Sequence, residues 1–317
     1  MRTIFVINPA AGQGKGLDKF MEKVRKAGEN TCTEVEIYTT KAVGDAGEFT
    51  DSIGRLSEGT DEEIRIIACG GDGTVNEVLN GAIKYNNIVV GVVPIGTGND
   101  FVRNFPEAGS FSDIEAVLRG SIAWCDAIRY SGLFAGKAQT RYCANMFNIG
   151  FDCNVADLTG TLKTYPLIAG SMAYLLGVGA TFIKKKGADL KVEIDGEVLN
   201  DGPLLLTSIA NGCFCGGGVK SNPCAVVQDG LMDINIIKDI TRMEFLNLFP
   251  KYAKGTHMEI SGIERILCAK QCRRAAVEPR QGSMRLCVDG EIVDAGRVEF
   301  ECVQNAFRLL VPEKQGK

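Results

Sequence analysis

Histidine is almost missing from this chain: His257 is the only one among 317 residues. Nucleophiles activated by an imidazole are thereby ruled out for most designs, and His257 is read as a surface residue or one with satisfied hydrogen bonds. The twelve cysteines contain no C-x₂-C pair, and the nearest spacings are Cys213/Cys215 and Cys268/Cys272. With one histidine and no such pair, a zinc site is not expected. Cys69, Cys143 and Cys287 stand inside apolar runs, so the cysteines read as small buried residues of a reducing cytoplasm rather than a disulfide framework. There is no surplus of one charge: 35 basic against 39 acidic residues leave a net charge of −4, which carries no nucleic-acid footprint. A secretory leader is not expected either, because Met1-Arg2 runs straight into the apolar Ile4–Ile7. The most apolar stretch, Leu167–Ile183, is 17 residues long and broken by Gly170, Gly177 and Gly179. A membrane span needs roughly 20 apolar residues. The stretch reads instead as a buried or cleft-lining helix or, with Lys184-Lys185-Lys186 behind it, as a patch for anionic lipid headgroups. Two phosphate fingerprints are also absent, the G-x-G-x-x-G of dinucleotide folds and the G-x₄-G-K-[ST] of Walker A.

What is present is an ordinary globular composition, 45% hydrophobic and 23% charged, with length for two domains that each bury a core. One stretch organises it: Ile66-Ile67-Ala68-Cys69-Gly70-Gly71-Asp72-Gly73-Thr74-Val75-Asn76-Glu77. Its apolar start reads as a buried strand. Three glycines follow around an aspartate, and Val75, Val78, Leu79 and Ile83 then fall at helical spacing. Glycine backbone lets a phosphate come close, and a helix N-terminus offers it N–H groups. Asp72 would repel that phosphate unless a cation lay between them, so Mg²⁺ is expected. The plainer alternative is a βα turn that needs glycine only for its backbone angles.

The same strand–loop–helix pattern repeats through the first hundred residues. Thr3–Asn8 is a strand that empties into Asn8-Pro9-Ala10-Ala11-Gly12. A helix follows near Leu17–Ala27, a strand at Val35–Tyr38 with Thr39-Thr40-Lys41 after it, and a helix from about Asp45 to Leu56. Ile88–Val93 is uniformly apolar, as a strand covered on both faces of a parallel sheet would be, and leads to Pro94-Ile95-Gly96-Thr97-Gly98-Asn99-Asp100. Loops at the carboxyl ends of parallel strands collect on one edge, where ligands bind, so these four loops are expected to make a nucleotide cleft.

After a short helix at Asp113–Leu118 and a strand at Trp124–Ile128 the pattern changes. Runs of period-two character lie at Leu190–Ile194, Leu204–Ile209, Met232–Ile237, Met284–Val288, Ile292-Val293 and Val298–Cys302. Asp195-Gly196, Asp229-Gly230 and Asp289-Gly290 are turn signals between them. An antiparallel β domain with inserted helices is predicted. Two Asp-Gly-Glu triplets, at Asp195–Glu197 and Asp289–Glu291, are candidates for a proton acceptor. Each also fits a hairpin turn with an exposed glutamate, and spacing does not choose between them.

Asn8-Pro9…Gly12, Gly70-Gly71-Asp72-Gly73-Thr74 and Pro94-Ile95-Gly96-Thr97-Gly98-Asn99-Asp100 together resemble the three ordered motifs of the diacylglycerol kinase catalytic domain, in the form found in its soluble bacterial lipid kinases. The GGDGT stretch occurs in NAD kinases as well; the Pro-x-Gly-Thr-Gly-Asn-Asp stretch sets the lipid kinases apart. The resemblance continues through Asn145–Asp152, Asn211-Gly212…Gly218 and Asp229–Asp233 and covers nearly the whole chain. It implies a three-layer α/β nucleotide domain with a parallel sheet over residues 1–128 and an antiparallel β-sandwich lipid domain over 129–306. The segment 307–317, with Arg308–Pro312, would return toward the first domain as a closing strand.

The resemblance also implies roles. ATP contacts fall on Asn8, Thr40, Gly70, Gly71, Asp72, Gly73, Thr74, Val75, Asn76, Thr97 and Asn99. Asp72, Asp100 and Asp126 are implied to hold Mg²⁺ directly or through water, although Asp100 would equally serve as a helix N-cap and Asp126 as a strand-end residue. No comparable structural use is evident for Asp72. The family places its catalytic triplet near the C-terminus, which selects Glu291 as proton acceptor with Asp289 as its rival. A second, structural Mg²⁺ is implied at Val226, Asp229 and Leu231, where the alternative is a plain Asp-Gly turn. The implied enzyme is an ATP- and Mg²⁺-dependent kinase of a membrane lipid, diacylglycerol to phosphatidic acid first. Sphingoid bases, ceramide, phosphatidylglycerol and, in another class, NAD are the competing acceptors. It would be cytoplasmic, peripheral at the inner face of the membrane, without a nucleic-acid partner, and a homodimer is expected from the family alone.

Overall fold

The computed structural model describes residues 1–14, 16–96, 98–155 and 187–314. Thr97, the apolar stretch Leu167–Ile183 and Lys184–Lys186 therefore lie outside the described residues. The chain divides into two compact units, Met1–Ala127 with Gln304–Lys317, and Ile128–Val303. Among the described residues, no helix is long and apolar enough to cross a membrane.

In the first unit the elements alternate: β1 (Arg2–Ile7), α1 (Leu17–Asn30), β2 (Val35–Thr39), α2 (Asp45–Ser57), β3 (Ile64–Gly70), α3 (Asp72–Ala82), β4 (Ile88–Pro94) and α4 (Ile114–Leu118). The strands pair in parallel in the order β2-β1-β3-β4. Phe5, Ile7, Ile67, Cys69, Val89 and Val93 share a core with Val24 and Ala27 of α1 and with Ile114 and Val117 of α4. The intervening Ile4, Val6, Ile66, Ala68, Val90 and Val92 are buried as well. Both faces are covered, and the strands accordingly read as unbroken apolar runs. α2 and α3 lie close enough that a Cβ on Gly81 would stand 2.5 Å from the Gly47 carbonyl oxygen. At the C-terminus, Arg308 and Leu309 pair in parallel with Val89 and Val90 of β4, and the Arg308 guanidinium lies 3.3 Å from Glu63.

The chain leaves the first unit inside β5 (Ser121–Phe134). The second unit continues with β6 (Lys137–Cys143), β7 (Met146–Gly150), β8 (Ala188–Ile194), β9 (Glu197–Ala210), β10 (Met232–Lys238), α5 (Arg242–Lys254), β11 (Leu267–Cys272), β12 (Arg274–Pro279), β13 (Met284–Val288) and β14 (Glu291–Val311), whose residues from Gln304 on belong to the first unit. Pairing within it is antiparallel. Its core includes Ile128, Phe147, Val192, Leu204, Ile234, Val277 and Leu286, with Tyr130, Phe147 and Phe300 meeting edge to face at 4.9 Å. A second core under α5 gathers Phe151, Val155, Leu206, Phe245, Leu248 and Tyr252.

Three expectations change here. The runs at Ile292-Val293 and Val298–Cys302 are one strand, β14, which pairs with β13 up to Ala295 and with β12 from Val298; the exchange of partners breaks the alternation. His257 is fully buried, its ring 5.0 Å from that of Tyr252, and so belongs to the core rather than the surface. All twelve cysteines are free thiols, yet Cys32 and Cys224 are exposed, so burial does not account for every one.

Candidate functional site

The parallel register ends the first-unit strands together, with Ile7 opposite both Thr39 and Cys69, and Gly70 opposite Pro94. The loops that follow are bonded to one another. Asn8 donates its N–H to the Cys69 carbonyl at 2.9 Å and its side-chain amide to the Thr74 hydroxyl at 3.2 Å. The Gly70 carbonyl accepts the N–H groups of Ile95 and Gly96, each at 3.0 Å. A Cβ on Gly96 would lie 2.5 Å from the Gly71 Cα. Glycine is needed there because two backbones touch. Gly71 is the N-cap of α3 and, as glycine, supplies no side-chain cap, and Gly73 lies in its first turn; a helix N-terminus of this kind offers N–H groups to an anion. Val75 and Asn76 are buried within α3. Thr40, also buried, donates its N–H to the Ile7 carbonyl at 2.9 Å.

Asp72 turns out to have a structural use. Its Oδ1 accepts the N–H groups of Asp100 at 2.9 Å and Phe101 at 3.3 Å. It thereby caps the 3-10 turn Phe101–Asn104, whose N-cap position Asp100 occupies without a capping hydrogen bond from its own side chain. The N-cap alternative weighed for Asp100 thus falls to Asp72, from 28 residues away. Burial raises the pKa of Asp72, and these backbone N–H groups work against that rise. A Cβ on Gly98 would come within 2.8 Å of the other oxygen, Oδ2. Asn99 sits at φ +56° and donates its amide to the Gly96 carbonyl at 2.7 Å. The Asp100 carboxylate lies 3.5 Å from Arg103. Asp126 is fully buried, and its Oδ1 accepts the Asn305 N–H at 2.7 Å. The fold therefore joins Asp72 to the Asp100 loop and ties Asp126 to the C-terminal segment. Among the described residues, no three His, Cys, Asp or Glu side chains converge as a metal cluster.

Two supporting acids escaped the sequence. Glu77 of α3 accepts the N–H groups of Gly44 and Ala46, at 2.8 and 3.2 Å, and so caps α2. Asp45 accepts the Tyr38 hydroxyl at 3.0 Å and the Lys41 N–H at 2.7 Å, which fixes the turn carrying Thr40. For Asp45 the available signal was an acid in the first turn of a predicted helix; Glu77 lies in the second turn of α3 and carried no such signal.

In the second unit the two Asp-Gly-Glu triplets form the same turn. Asp195 and Gly196 have φ of +47° and +89°, Asp289 and Gly290 +45° and +93°. Both join adjacent antiparallel strands, with Ile194 opposite Glu197 and Val288 opposite Glu291. Each aspartate exchanges two bonds with one facing residue. Asp195 donates its N–H to the Arg274 carbonyl and accepts the Arg274 N–H, both at 3.0 Å. Asp289 does the same with Met146, at 3.1 and 2.9 Å. Only Asp289 has a further partner, the Cys143 thiol, which donates to Oδ2 at 3.2 Å. Burial, and then the Asp289 charge, push that thiol well above its usual pKa, so it keeps its proton. Glu197 and Glu291 are both exposed.

The residues facing Asp289 link it to other landmarks. The Asn145 carbonyl accepts the Asn211 and Gly212 N–H groups at 2.7 and 3.1 Å, and the Asn145 amide donates to the Phe214 carbonyl at 2.7 Å. Asp229 lies in the exposed turn before β10. Its Oδ1 accepts the Leu231 N–H at 3.0 Å, and its N–H reaches the Val226 carbonyl at 3.4 Å. A carboxylate and main-chain carbonyls on one exposed turn are an oxygen donor set of the kind Mg²⁺ takes with water. Asp72 fits a cation for a different reason, since positive charge beside it would offset the desolvation that raises its pKa.

Residues 2–129 match the family described as diacylglycerol kinase catalytic domain, and residues 145–311 match the family described as YegS C-terminal NAD kinase beta sandwich-like domain. A diacylglycerol kinase of Staphylococcus saprophyticus is 30% identical over 298 residues, covering 92% of this chain and 88% of its own. One from Bacillus subtilis is 26% identical over 323 residues, covering 100% of this chain and 98% of its own. Among solved structures, a diacylglycerol kinase from Bacillus anthracis superposes with a TM-score of 0.68 at 19% identity, covering 98% of this chain and 96% of that one. At that identity the likeness is one of fold.

Proposed function

The chain belongs to the diacylglycerol kinase catalytic-domain family and carries the YegS-type C-terminal domain, and on that premise we propose how it works as a lipid kinase. The reaction transfers the γ-phosphate of ATP to a lipid hydroxyl, with diacylglycerol the first choice of acceptor and phosphatidic acid the product. The observation that carries the nucleotide side is the contact of three loops around the N-terminus of α3. Asn8 bonds Thr74, Gly70 accepts from Ile95 and Gly96, and Asp72 holds the 100–101 backbone.

In this reading residues 1–128, in helix–sheet–helix layers, bind ATP through Asn8, Thr40, Gly70–Asn76, Thr97 and Asn99. Residues 129–306 take the lipid, and 307–317 return as the closing strand. Asp72, Asp100 and Asp126 would hold Mg²⁺, directly or through water, and the ion would screen phosphate charge during transfer. The loops exclude water and fix the phosphates, which is most of what phosphoryl transfer asks of a protein. Glu291 accepts the proton of the attacking hydroxyl, while the stapled Asp289 sets the turn that presents it. Val226, Asp229 and Leu231 would hold a second, structural Mg²⁺. The enzyme works from the cytoplasm at the inner membrane face, and self-association as a homodimer belongs to the same reading.

The test is transfer of labelled phosphate from ATP to a panel of lipid alcohols in micelles: diacylglycerol, sphingoid base, ceramide and phosphatidylglycerol. Label is expected in phosphatidic acid. Label in NAD and in no lipid would overturn the proposal.

A further inference from the structure

We infer that α5 docks the second unit on an anionic phospholipid bilayer by laying its solvent-facing side on the surface. The choice of a lipid surface as partner rests on the lipid-kinase reading; the chemistry rests on the helix. α5 buries Phe245, Leu248 and Tyr252 in the core beneath it, with Phe245 4.7 Å from Phe151, ring to ring. On the opposite side, Met243 is 68% and Leu246 53% exposed. They stand one turn apart, and the exposed Pro250 follows one turn later. The other strongly exposed apolar side chains of the helices, such as Val43 just before α2 and Leu56 within it, do not form such a row, and isolated ones are ordinary.

Charge selects the partner. Arg242, Lys251 and Lys254 are exposed along this helix. Its one acid, Glu244, is committed elsewhere, accepting the Thr241 N–H in the capping box and pairing with Arg265, both at 2.9 Å. An apolar row edged by cations matches a headgroup layer, in which the apolar side chains enter the acyl boundary and the cations meet phosphate. A second copy of the chain fits less well. Two-fold contact through this row would set the same three cations against themselves.

Sedimentation with vesicles, without ATP, tests the inference. The whole chain is expected to bind phosphatidylcholine vesicles doped with phosphatidylglycerol and to bind plain phosphatidylcholine vesicles weakly. A contribution of roughly fivefold per lysine predicts that Lys251→Gln with Lys254→Gln weakens binding by roughly 25-fold and flattens its salt dependence. Met243→Ser with Leu246→Ser weakens binding at low and high salt alike. All four side chains are exposed, so the thermal midpoint should hold, and turnover of a short-chain monomeric diacylglycerol should be unchanged. Variants that bind like the parent would overturn the docking role. So would a parent that ignores the doped vesicles, or a Leu246→Ser chain that changes from dimer to monomer in sedimentation velocity. Because binding is read without ATP, failure to phosphorylate any lipid would remove the kinase assignment and leave the docking result standing.

Discussion

Replacing Glu291 and Glu197 by glutamine, one at a time, uses a control built into the fold. The two glutamates follow turns of the same backbone conformation, each stapled by its aspartate to one facing residue. Both side chains are exposed, so each substitution should change stability by less than about 0.5 kcal/mol. Turnover should separate them. A general base contributes about 10²- to 10⁴-fold, so Glu291→Gln is expected to lose that much in kcat with nucleotide binding intact, and Glu197→Gln to lose nothing. The aspartates should behave in the opposite manner, through stability. Asp289→Ala removes a half-buried carboxylate that accepts one N–H and one thiol, and leaves alanine at φ +45°. The lost bonds and the left-handed backbone together predict about 2–4 kcal/mol. Asp195 is exposed and accepts the Arg274 N–H without a thiol partner, so Asp195→Ala should cost about half as much. Urea unfolding reads stability, and label transfer from ATP to diacylglycerol reads turnover. A dead Glu197→Gln enzyme beside an active Glu291→Gln enzyme would refute the assignment of the base. Equal losses for the two alanine variants would refute the stability reasoning.

Burial lifts the Asp152 carboxyl from 3.8 to about 6, against the stabilising hydrogen bond from the Tyr252 hydroxyl at 2.7 Å. Below about pH 3.8 the group is neutral in both folded and unfolded chains. Between there and about pH 6 only the unfolded chain ionises, so up to ~3 kcal/mol of stability is lost as pH rises. Asp152→Asn should remove that slope, stabilising at neutral pH and not at about pH 4; equal urea midpoints for parent and variant at neutral pH would contradict this. Asp72→Asn keeps an oxygen for the Asp100 and Phe101 N–H groups, and Asp72→Ala does not. Both should lose turnover, but the alanine variant should also lose about 2 kcal/mol of first-unit stability. Gly96→Ala must force touching backbones apart and should weaken ATP binding by about tenfold or more in a nucleotide titration. Asp229→Ala should abolish the rise in thermal midpoint that Mg²⁺ gives the parent; a variant still responding like the parent would place the ion elsewhere.

The phosphate loops were legible because each is a contiguous run directly after an apolar strand, and parallel register delivers such runs to one edge without further information. Strands were harder to read in the second half. β6 is largely exposed and polar, β11 is exposed through its middle, and β14 changes partner mid-course. The alternation that marks a half-buried strand is weak or interrupted in each. The row on α5 is not marked in the sequence, because nothing local says which side of the helix the fold turns inward.

Local composition by itself determined the alternating first unit, the glycine loops and the two Asp-Gly turns, since those depend on backbone freedom and burial pattern over a few neighbouring residues. Tertiary structure alone decided what the carboxylates do there. Asp72 reaches 28 residues ahead to cap the 100–101 backbone, Asp289 reaches back 143 to Met146, and Asp126 reaches 179 ahead to Asn305. A hydrogen bond depends on distance and angle in space, and strand register sets both only once the whole sheet has formed.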